Sequence, residues 1–233
     1  MKTVGIIGGI APESTIIYYK EIIKAFRAVD AGNNYPQLII NSINMTKMLA
    51  FLADNNEDGL VDYLLSETDK LARAGADFGV LASNTPHIVF ERLQERSPIP
   101  LLSIVEFAVT FAKAMGLKRL GLFGTRFTMQ NRFYQDAFLR EGMEVIVPDT
   151  PSQNYIHEKY FIELVNGRVF ENTKNELLEI IESMKARQNI DGLILGGTEL
   201  SLILKNGDDK DIPILDTAQI HISGIVEYLL KSG

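Results

Sequence analysis

Short apolar runs alternate with longer amphipathic segments along the whole chain. The runs are rich in Val, Ile and Leu, which is typical of strands buried on both faces of a parallel sheet. The longer segments repeat apolar residues with the spacing of an α-helix. This alternation predicts an α/β fold of parallel strands joined by right-handed helical crossovers. The predicted strands cover residues 3–7, 37–42, 78–82, 101–104, 119–123, 144–148, 193–195 and 212–215.

Glycine and proline mark the ends of the predicted helices. Pro86 is suited to the first turn of a helix, because proline has no N–H that must be satisfied there. Gly75 and Gly116 stand where helix C-caps are expected. The predicted helices cover residues 12–28, 59–74, a segment that begins at Pro86, a segment that ends at Gly116, and residues 133–141, 156–166, 175–188 and 218–230.

The two halves of the chain follow a similar plan. Each opens with an apolar strand and closes with a strand, a turn of small polar residues and a helix. The segment Pro98-Ile-Pro100 interrupts the pattern and is the predicted crossing between domains. We therefore predict two similar α/β domains, residues 1–98 plus 213–233 and residues 99–212. Each has a parallel sheet flanked by helices, and a ligand cleft is expected between them.

Small polar residues follow the third predicted strand, where a helix should begin. They are Ser83, Asn84 and Thr85. Strand ends of this kind bind ligands in open α/β sheets. The same side chains also serve as helix N-caps, so the spacing leaves both interpretations open. His87, one turn further on, is either a packed residue or a catalytic group.

A second strand end repeats this plan. The apolar run at residues 193–195 is followed by Gly196, Gly197, Thr198 and Glu199. Two such strand ends, far apart in the sequence, favour a ligand site made of two halves. For Glu199 a structural role is the alternative, because an acidic residue is favourable in the first turn of a helix.

A glycine pair, Gly8-Gly9, follows the first predicted strand. The pattern is not G-x-G-x-x-G, and no Gly-Lys-Ser/Thr segment occurs, which argues against a nucleotide site. The glycines favour a close approach of the Ile10 main chain to a small anion such as a carboxylate.

The composition narrows the class of protein. The chain has 233 residues, of which 46% are hydrophobic and 23% charged, as is ordinary for a soluble globular protein. The absence of cysteine excludes disulfides and thiolate metal sites. A net charge of -7 disfavours nucleic-acid partners. The apolar runs are too short to span a membrane and no cleavable signal pattern opens the chain, so a cytoplasmic location is expected.

Segments 8–15, 83–87 and 196–200 resemble the aspartate/glutamate racemase family, and the resemblance runs from end to end. It implies two similar α/β domains with a cleft, a homodimer, and no pyridoxal phosphate or metal cofactor. It also implies a small acidic amino acid as substrate. Two cysteines, one per domain, are implied to move the α-proton on opposite faces of the substrate. The resemblance places these catalytic positions at Ser83 and Gly197, and this chain has neither thiol.

The resemblance also suggests how the substrate is held. The α-carboxylate is assigned to Asn84, Thr85 and Thr198 with the main chain of Ile10. Arg168 is the candidate for the side-chain carboxylate, because it follows the Glu-Leu-x-x-Gly segment where relatives place a lysine. The alternative interpretation is that Arg168 is a solvated residue that follows a helix end. The substrate-binding candidates are together Ile10, Asn44, Asn84, Thr85, Arg168, Thr198 and Glu199.

The two altered positions leave two hypotheses open. In the first, the chain is a racemase of weakened or lost activity: Ser83 acts on one face, and water, Glu199 or His87 serves the other. A serine hydroxyl is a weaker acid than a thiol and needs a neighbouring base, and glycine has no group to offer. In the second hypothesis, the chain binds an acidic amino acid or a dicarboxylate without chemistry. A decarboxylase or cis-trans isomerase is less favoured, because such relatives also need cysteine.

Overall fold

The computed structural model describes residues 2–30 and 34–231. The chain divides into two compact units, Met1–Ile104 with His221–Gly233 and Val105–Ile220. Each unit contains one sheet of four parallel strands within the described residues. The strands are β1 (Thr3–Gly8), β2 (Gln37–Ser42), β3 (Phe78–Leu81), β4 (Leu101–Leu102), β5 (Arg119–Gly124), β6 (Glu144–Ile146), β7 (Gly192–Gly196) and β8 (Ile214–Asp216).

Helices join the strands in both units, and short 3-10 helices lie at Thr85–Val89, Leu164–Asn166 and Thr198–Leu202. Across the described part of the chain, none of the helices is long and apolar enough to cross a membrane. The α-helices are α1 (Pro12–Val29), α2 (Met45–Ala53), α3 (Glu57–Arg73), α4 (Phe90–Arg96), α5 (Ile104–Ala114), α6 (Arg126–Gln130), α7 (Phe133–Arg140), α8 (Thr150–Ile162), α9 (Glu171–Gln188) and α10 (Thr217–Leu230).

The first unit is built on a sheet of order β2-β1-β3-β4. Val4 of β1 is paired with Leu38 on one side and with Phe78 on the other. The two central strands are almost wholly buried, which explains why their sequences are continuous apolar runs. Leu64 of α3 packs with the strands in the core.

The second unit repeats the arrangement with the order β6-β5-β7-β8. Leu122 of β5 is paired with Ile194 of β7. One face of this sheet is covered by α8 and α9, whose apolar residues share a core cluster with Leu193 and Leu195. The predicted α/β fold with two similar parallel sheets is confirmed.

Two strands lie elsewhere than the sequence predicted. The segment at Leu101 was expected to open the second domain, but β4 pairs with β3 in the first sheet. The segment at Ile214 was expected to return to the first domain, but β8 pairs with β7 in the second. The chain therefore crosses between the units within helices, after Ile104 and again after Ile220. Strand pairing is a long-range property, so it cannot be inferred from the local pattern of either segment.

Several helix bounds also differ from the prediction. α2 was not predicted, and α8 begins at Thr150, before the predicted start at 156. Its start is set by Asp149, whose Oδ1 accepts the N–H of Ser152 at 3.0 Å, a side-chain cap of the usual kind. The helix expected at Pro86 begins as a 3-10 helix and becomes α-helical only at Phe90.

Each sheet contains a point where the strand order reverses. From β1 the chain moves to β2 on one side and then to β3 on the other, and β5, β6 and β7 do the same. Connections leave such a pair of strands in opposite directions, which opens a crevice at their carboxyl ends. Most candidate residues lie at these points, after β1 and β3 in the first unit and after β7 in the second. The exceptions are Asn44, which follows β2, and Arg168, which follows the 3-10 helix Leu164–Asn166.

Candidate functional site

The loop after β1 is held tightly against the loop after β2. Gly9 has a φ of 78°, and a methyl group on it would lie 2.6 Å from the main-chain oxygen of Ile43. Glycine alone satisfies both the left-handed conformation and this close approach. The N–H of Gly9 donates to Oγ1 of Thr15 at 2.8 Å. Ile10 follows with its side chain buried in the core, so its side chain is an anchor, and its predicted main-chain contact with a carboxylate stays a prediction.

The residues after β3 form a buried polar strand end in the first unit. Ser83, Asn84 and Thr85 are 5%, 1% and 6% exposed, although all three carry polar side chains. The main-chain oxygen of Asn84 accepts the N–H of His87 at 3.0 Å, which begins the 3-10 turn. Small polar residues buried at a strand-order reversal are compatible with a small-anion site, and the roles of Ser83, Asn84 and Thr85 in substrate binding or catalysis stay predictions.

His87 is a packed residue that supports this turn. Its Nδ1 lies 3.0 Å from the main-chain oxygen of Ser83, and its Nε2 lies 3.3 Å from the nitrogen of Ile104. The first contact requires a proton on Nδ1 and the second requires a bare Nε2. Burial lowers the pKa of His87 to about 4, and its ring stacks on Phe90. The packed interpretation is therefore the one that the structure supports.

Asn44 has a local structural task. It is the N-cap of α2, where its Oδ1 accepts the N–H of Lys47 at 3.1 Å. Its own N–H donates to the phenol oxygen of Tyr63 at 3.1 Å. The side-chain oxygen is thus already engaged in capping, and a role for Asn44 in substrate binding stays a prediction.

In the second unit, the turn after β5 is closely packed against the end of β7. A methyl group on Gly124 would lie 2.9 Å from the main-chain oxygen of Gly196. Thr125 caps α6, and its Oγ1 lies 3.1 Å from Oγ1 of Thr128. Both threonines are buried, so the Gly-Thr motif places two hydroxyls at the reversal point between β5 and β7.

The residue after β7 has an unexpected neighbour. A methyl group on Gly197 would lie 2.6 Å from Cε2 and 3.3 Å from Cζ of Tyr160. These carbons belong to the phenol end of the ring, which projects from α8. A side chain at position 197 would occupy the volume that the Tyr160 ring already fills. The space expected for a catalytic thiol is therefore filled by an aromatic ring from another element.

Tyr160 also holds the acidic residue that follows β7, Glu199. Its phenol donates a hydrogen bond to Oε2 of Glu199, and Oγ1 of Thr198 donates to the same oxygen at 2.8 Å. Glu199 has no exposed surface and Thr198 is 2% exposed. Glu199 is thus held by two hydroxyl donors inside the unit, a more specific arrangement than the predicted first-turn acid.

The sequence analysis did not single out Tyr160. It lies within the predicted helix 156–166 and repeats with an ordinary apolar spacing. The sequence contained only an indirect indication of Tyr160. Gly197 stands where a reactive side chain was expected, which implies that another group fills the space but does not identify that group.

Arg168 lies on the surface, directly after Gly167, whose φ is 67°. Its N–H donates to the main-chain oxygen of Glu163 at 3.0 Å. The buried Glu163 carboxylate accepts from Lys159 Nζ at 2.6 Å and Thr173 Oγ1 at 2.7 Å. Burial alone would raise the pKa of Glu163, but these two donors outweigh it and the pKa is lowered. The Glu-Leu-x-x-Gly segment is thus a structural helix end, and substrate binding by Arg168 stays a prediction.

Three carboxylates elsewhere in the second unit, Glu182, Asp209 and Asp211, lie close enough together to hold a metal ion. The ammonium of Lys185 already lies 2.8 Å, 3.0 Å and 2.7 Å from oxygens of these three residues. The main-chain N–H groups of Asp211 and Ile212 also donate to Asp209. We therefore assign this cluster a structural role.

Comparison with known proteins agrees with the geometry. The sequence matches the Asp/Glu/hydantoin racemase family over residues 7–225. It is 25% identical over 226 residues to a broad-specificity amino-acid racemase of Bacillus subtilis, with 92% of each chain covered. The structure superposes on an aspartate racemase homologue from Pyrococcus horikoshii with a TM-score of 0.85, 36% identity and 100% coverage of both chains. A candidate Asp/Glu racemase from Yersinia pestis gives a TM-score of 0.89, 31% identity and coverage of 99% of this chain and 100% of that one.

The fold and the two polar strand ends thus define a protein of the racemase class. The chain belongs to the Asp/Glu/hydantoin racemase family. Membership supports an amino-acid racemase function.

Proposed function

We propose that this protein racemises a small acidic amino acid of the aspartate or glutamate type without pyridoxal phosphate. The observation that carries the proposal is the pair of buried polar strand ends, Ser83-Asn84-Thr85 and Thr198-Glu199, in a chain matched to the family along nearly its whole length. The dimeric assembly and the cytoplasmic location stay predictions.

Substrate binding is assigned to the small polar groups. Thr198 gives its one hydroxyl proton to Glu199, which leaves two donors suited to a carboxylate: the amide of Asn84 and the hydroxyl of Thr85. Their burial strengthens such bonds, because the local dielectric is lower than that of water. An α-carboxylate held in this way also accepts part of the charge that develops when the α-proton leaves.

Proton transfer on one face is assigned to Ser83. A hydroxyl can take part in proton transfer when a base or a polar network supports it. His87 does not supply that base, because its Nδ1 faces the main-chain oxygen of Ser83 and its Nε2 faces Ile104. We therefore expect a slower reaction than a thiol would give.

The test is α-proton exchange. The purified protein is incubated with L- and D-aspartate and with L- and D-glutamate in deuterated water, and the α-hydrogen signal is followed by NMR. Exchange with appearance of the opposite enantiomer is the expected result. Calorimetry with the same four compounds measures binding separately.

A second candidate is an acidic amino-acid or dicarboxylate binding protein on the same scaffold. It is favoured by one observation, that the space beside Gly197 is filled by Tyr160 and no side chain of residue 197 reaches it. Binding without α-proton exchange from either enantiomer would establish this candidate and overturn the racemase proposal.

A further inference from the structure

In the second unit, the phenol of Tyr160 supplies a protic group beside Gly197, which has no side chain of its own. The phenol end of Tyr160 lies in the direction in which a side chain at Gly197 would extend. Gly197 directly follows β7 at the strand-order reversal, where open α/β sheets present reactive groups. The absence of a β-carbon at this residue is what allows the ring to approach the strand end.

The phenol is also coupled to a carboxylate. Tyr160 donates its hydroxyl proton to Oε2 of Glu199, which accepts a further hydrogen bond from Thr198 at 2.8 Å. All three residues are buried. A hydroxyl whose proton points at a carboxylate is the usual pairing of an acid–base group with the residue that receives its proton.

We propose that the Tyr160 phenol, coupled to Glu199, is the acid–base group on the second half of the site. The inference rests on the proposed racemase function. It makes Tyr160 a catalytic residue, Glu199 its proton acceptor, and Thr198 a residue that positions the carboxylate.

The step conserves protons and electrons. In one direction the α-C–H bond of the substrate breaks and an O–H bond forms at Tyr160 Oη. The original phenol proton passes at the same time to Glu199 Oε2, and the electron pair of the broken bond stays on the substrate beside its carboxylate. In the other direction Glu199 returns its proton to Oη as the phenol delivers one to the α-carbon.

This proton transfer through Tyr160 to Glu199, the relay, requires the Glu199 carboxylate. Burial and the nearby charge of Glu199 raise the pKa of Tyr160 well above its ordinary value. A free phenolate is therefore not the resting base. The phenol stays protonated at rest, and it takes up the substrate proton only as its own proton passes to Glu199.

The decisive experiment compares Tyr160→Phe with Tyr155→Phe, a matched loss of one phenol on the same helix, α8. Exchange of the α-proton is measured from each enantiomer in deuterated water, and binding is measured by calorimetry. General acid–base groups contribute about 10²–10⁴-fold, so Tyr160→Phe should slow exchange from one enantiomer at least about 100-fold. In Tyr160→Phe, exchange from the other enantiomer and the binding affinity should change little. Tyr155→Phe should resemble the wild-type protein in all of these measurements. A merely structural role would slow both enantiomers alike.

A second variant, Glu199→Gln, tests the same relay while Tyr160 remains. It should show the same loss for the same enantiomer. Exchange at the wild-type rate in both variants would overturn the relay and leave the racemase function in place. No exchange by the wild-type protein would overturn both, so the two failures are distinguishable. If Tyr160→Phe does not fold, Glu199→Gln alone decides between these outcomes.

Discussion

The imidazole of His87 is joined to the main-chain oxygen of Ser83 through Nδ1, at 3.0 Å. His87 therefore supports the strand end that carries Ser83. Its contact is with the main chain of Ser83, and its unprotonated nitrogen, Nε2, faces Ile104. Neutral imidazole is required, because Nε2 faces the N–H of Ile104. This requirement makes the first unit sensitive to acid.

We expect stability to fall as the pH decreases from about 6.5 to about 4. The pKa of His87 is about 4 in the folded protein against an ordinary 6.5, so the unfolded chain binds more protons in this window. The contribution is complete above pH 6.5 and amounts to roughly 3 kcal/mol. His221, buried beside Tyr18, adds to the effect because burial lowers its pKa to about 3. Urea unfolding at several pH values measures it.

The variant His87→Gln isolates the contribution of this one group. Its free energy of unfolding should depend less steeply on pH than that of the wild-type protein, because glutamine does not titrate. Parallel pH curves for the two proteins would contradict the assignment.

Enlarging Gly197 should destabilise the second unit. A methyl group there would lie 2.6 Å from the Tyr160 ring, so Gly197→Ala should cost about 1–3 kcal/mol of unfolding free energy. Tyr160→Leu in the same chain should remove most of that cost, because the ring is what the methyl group meets. Equal losses for Gly197→Ala in both backgrounds, measured by denaturant unfolding, would show that the ring is not the obstacle.

Ser83→Cys should raise α-proton exchange. A thiol has an ordinary pKa of ~8.5 and is a better proton acceptor once ionised than a serine hydroxyl. We expect an increase of at least about tenfold, since acid–base groups contribute ~10²–10⁴-fold. Ser83→Ala is the matched control and should lose exchange on that face. An unchanged rate in both variants would remove Ser83 from the mechanism.

Thr85→Val should weaken the binding of aspartate without changing the shape of the site. Valine replaces the hydroxyl by a methyl group, and a lost buried hydrogen bond costs about 1–3 kcal/mol. Calorimetry at one pH and salt concentration measures the change. The control is Thr110→Val, on the surface of α5, where the hydroxyl donates to the main-chain oxygen of Glu106 at 2.9 Å. Equal affinity in Thr85→Val and the wild-type protein would place the carboxylate elsewhere.

Lys185→Met should destabilise the second unit, because it leaves three carboxylates without their shared cation. The Asp209 side chain is only 3% exposed, so we expect a loss of about 1–3 kcal/mol. The matched control is Lys24→Met, which breaks a solvated pair with Glu21 and should cost less than about 1 kcal/mol. Equal losses in thermal unfolding would show that the cluster contributes no more than a surface pair.

Much of the fold follows from local pattern. The buried strands β1, β3, β5 and β7 are continuous apolar runs. Strands that are buried on both faces favour apolar residues at every position, so the pattern predicts them directly. Short elements were predicted less well. α2 begins with a capping asparagine whose motif is shared with ordinary turns, and β4 contains two residues, too few to set a period.

The sequence by itself determined the alternation of strands and helices and the two polar strand ends, because both depend on residues close together in the chain. The tertiary structure alone decided that β4 and β8 pair within the first and second sheets, respectively. It alone decided that the ring of Tyr160 lies beside Gly197 and that its phenol meets Glu199. These residues lie on α8 and after β7, and only the packing of the helix against the sheet brings them together.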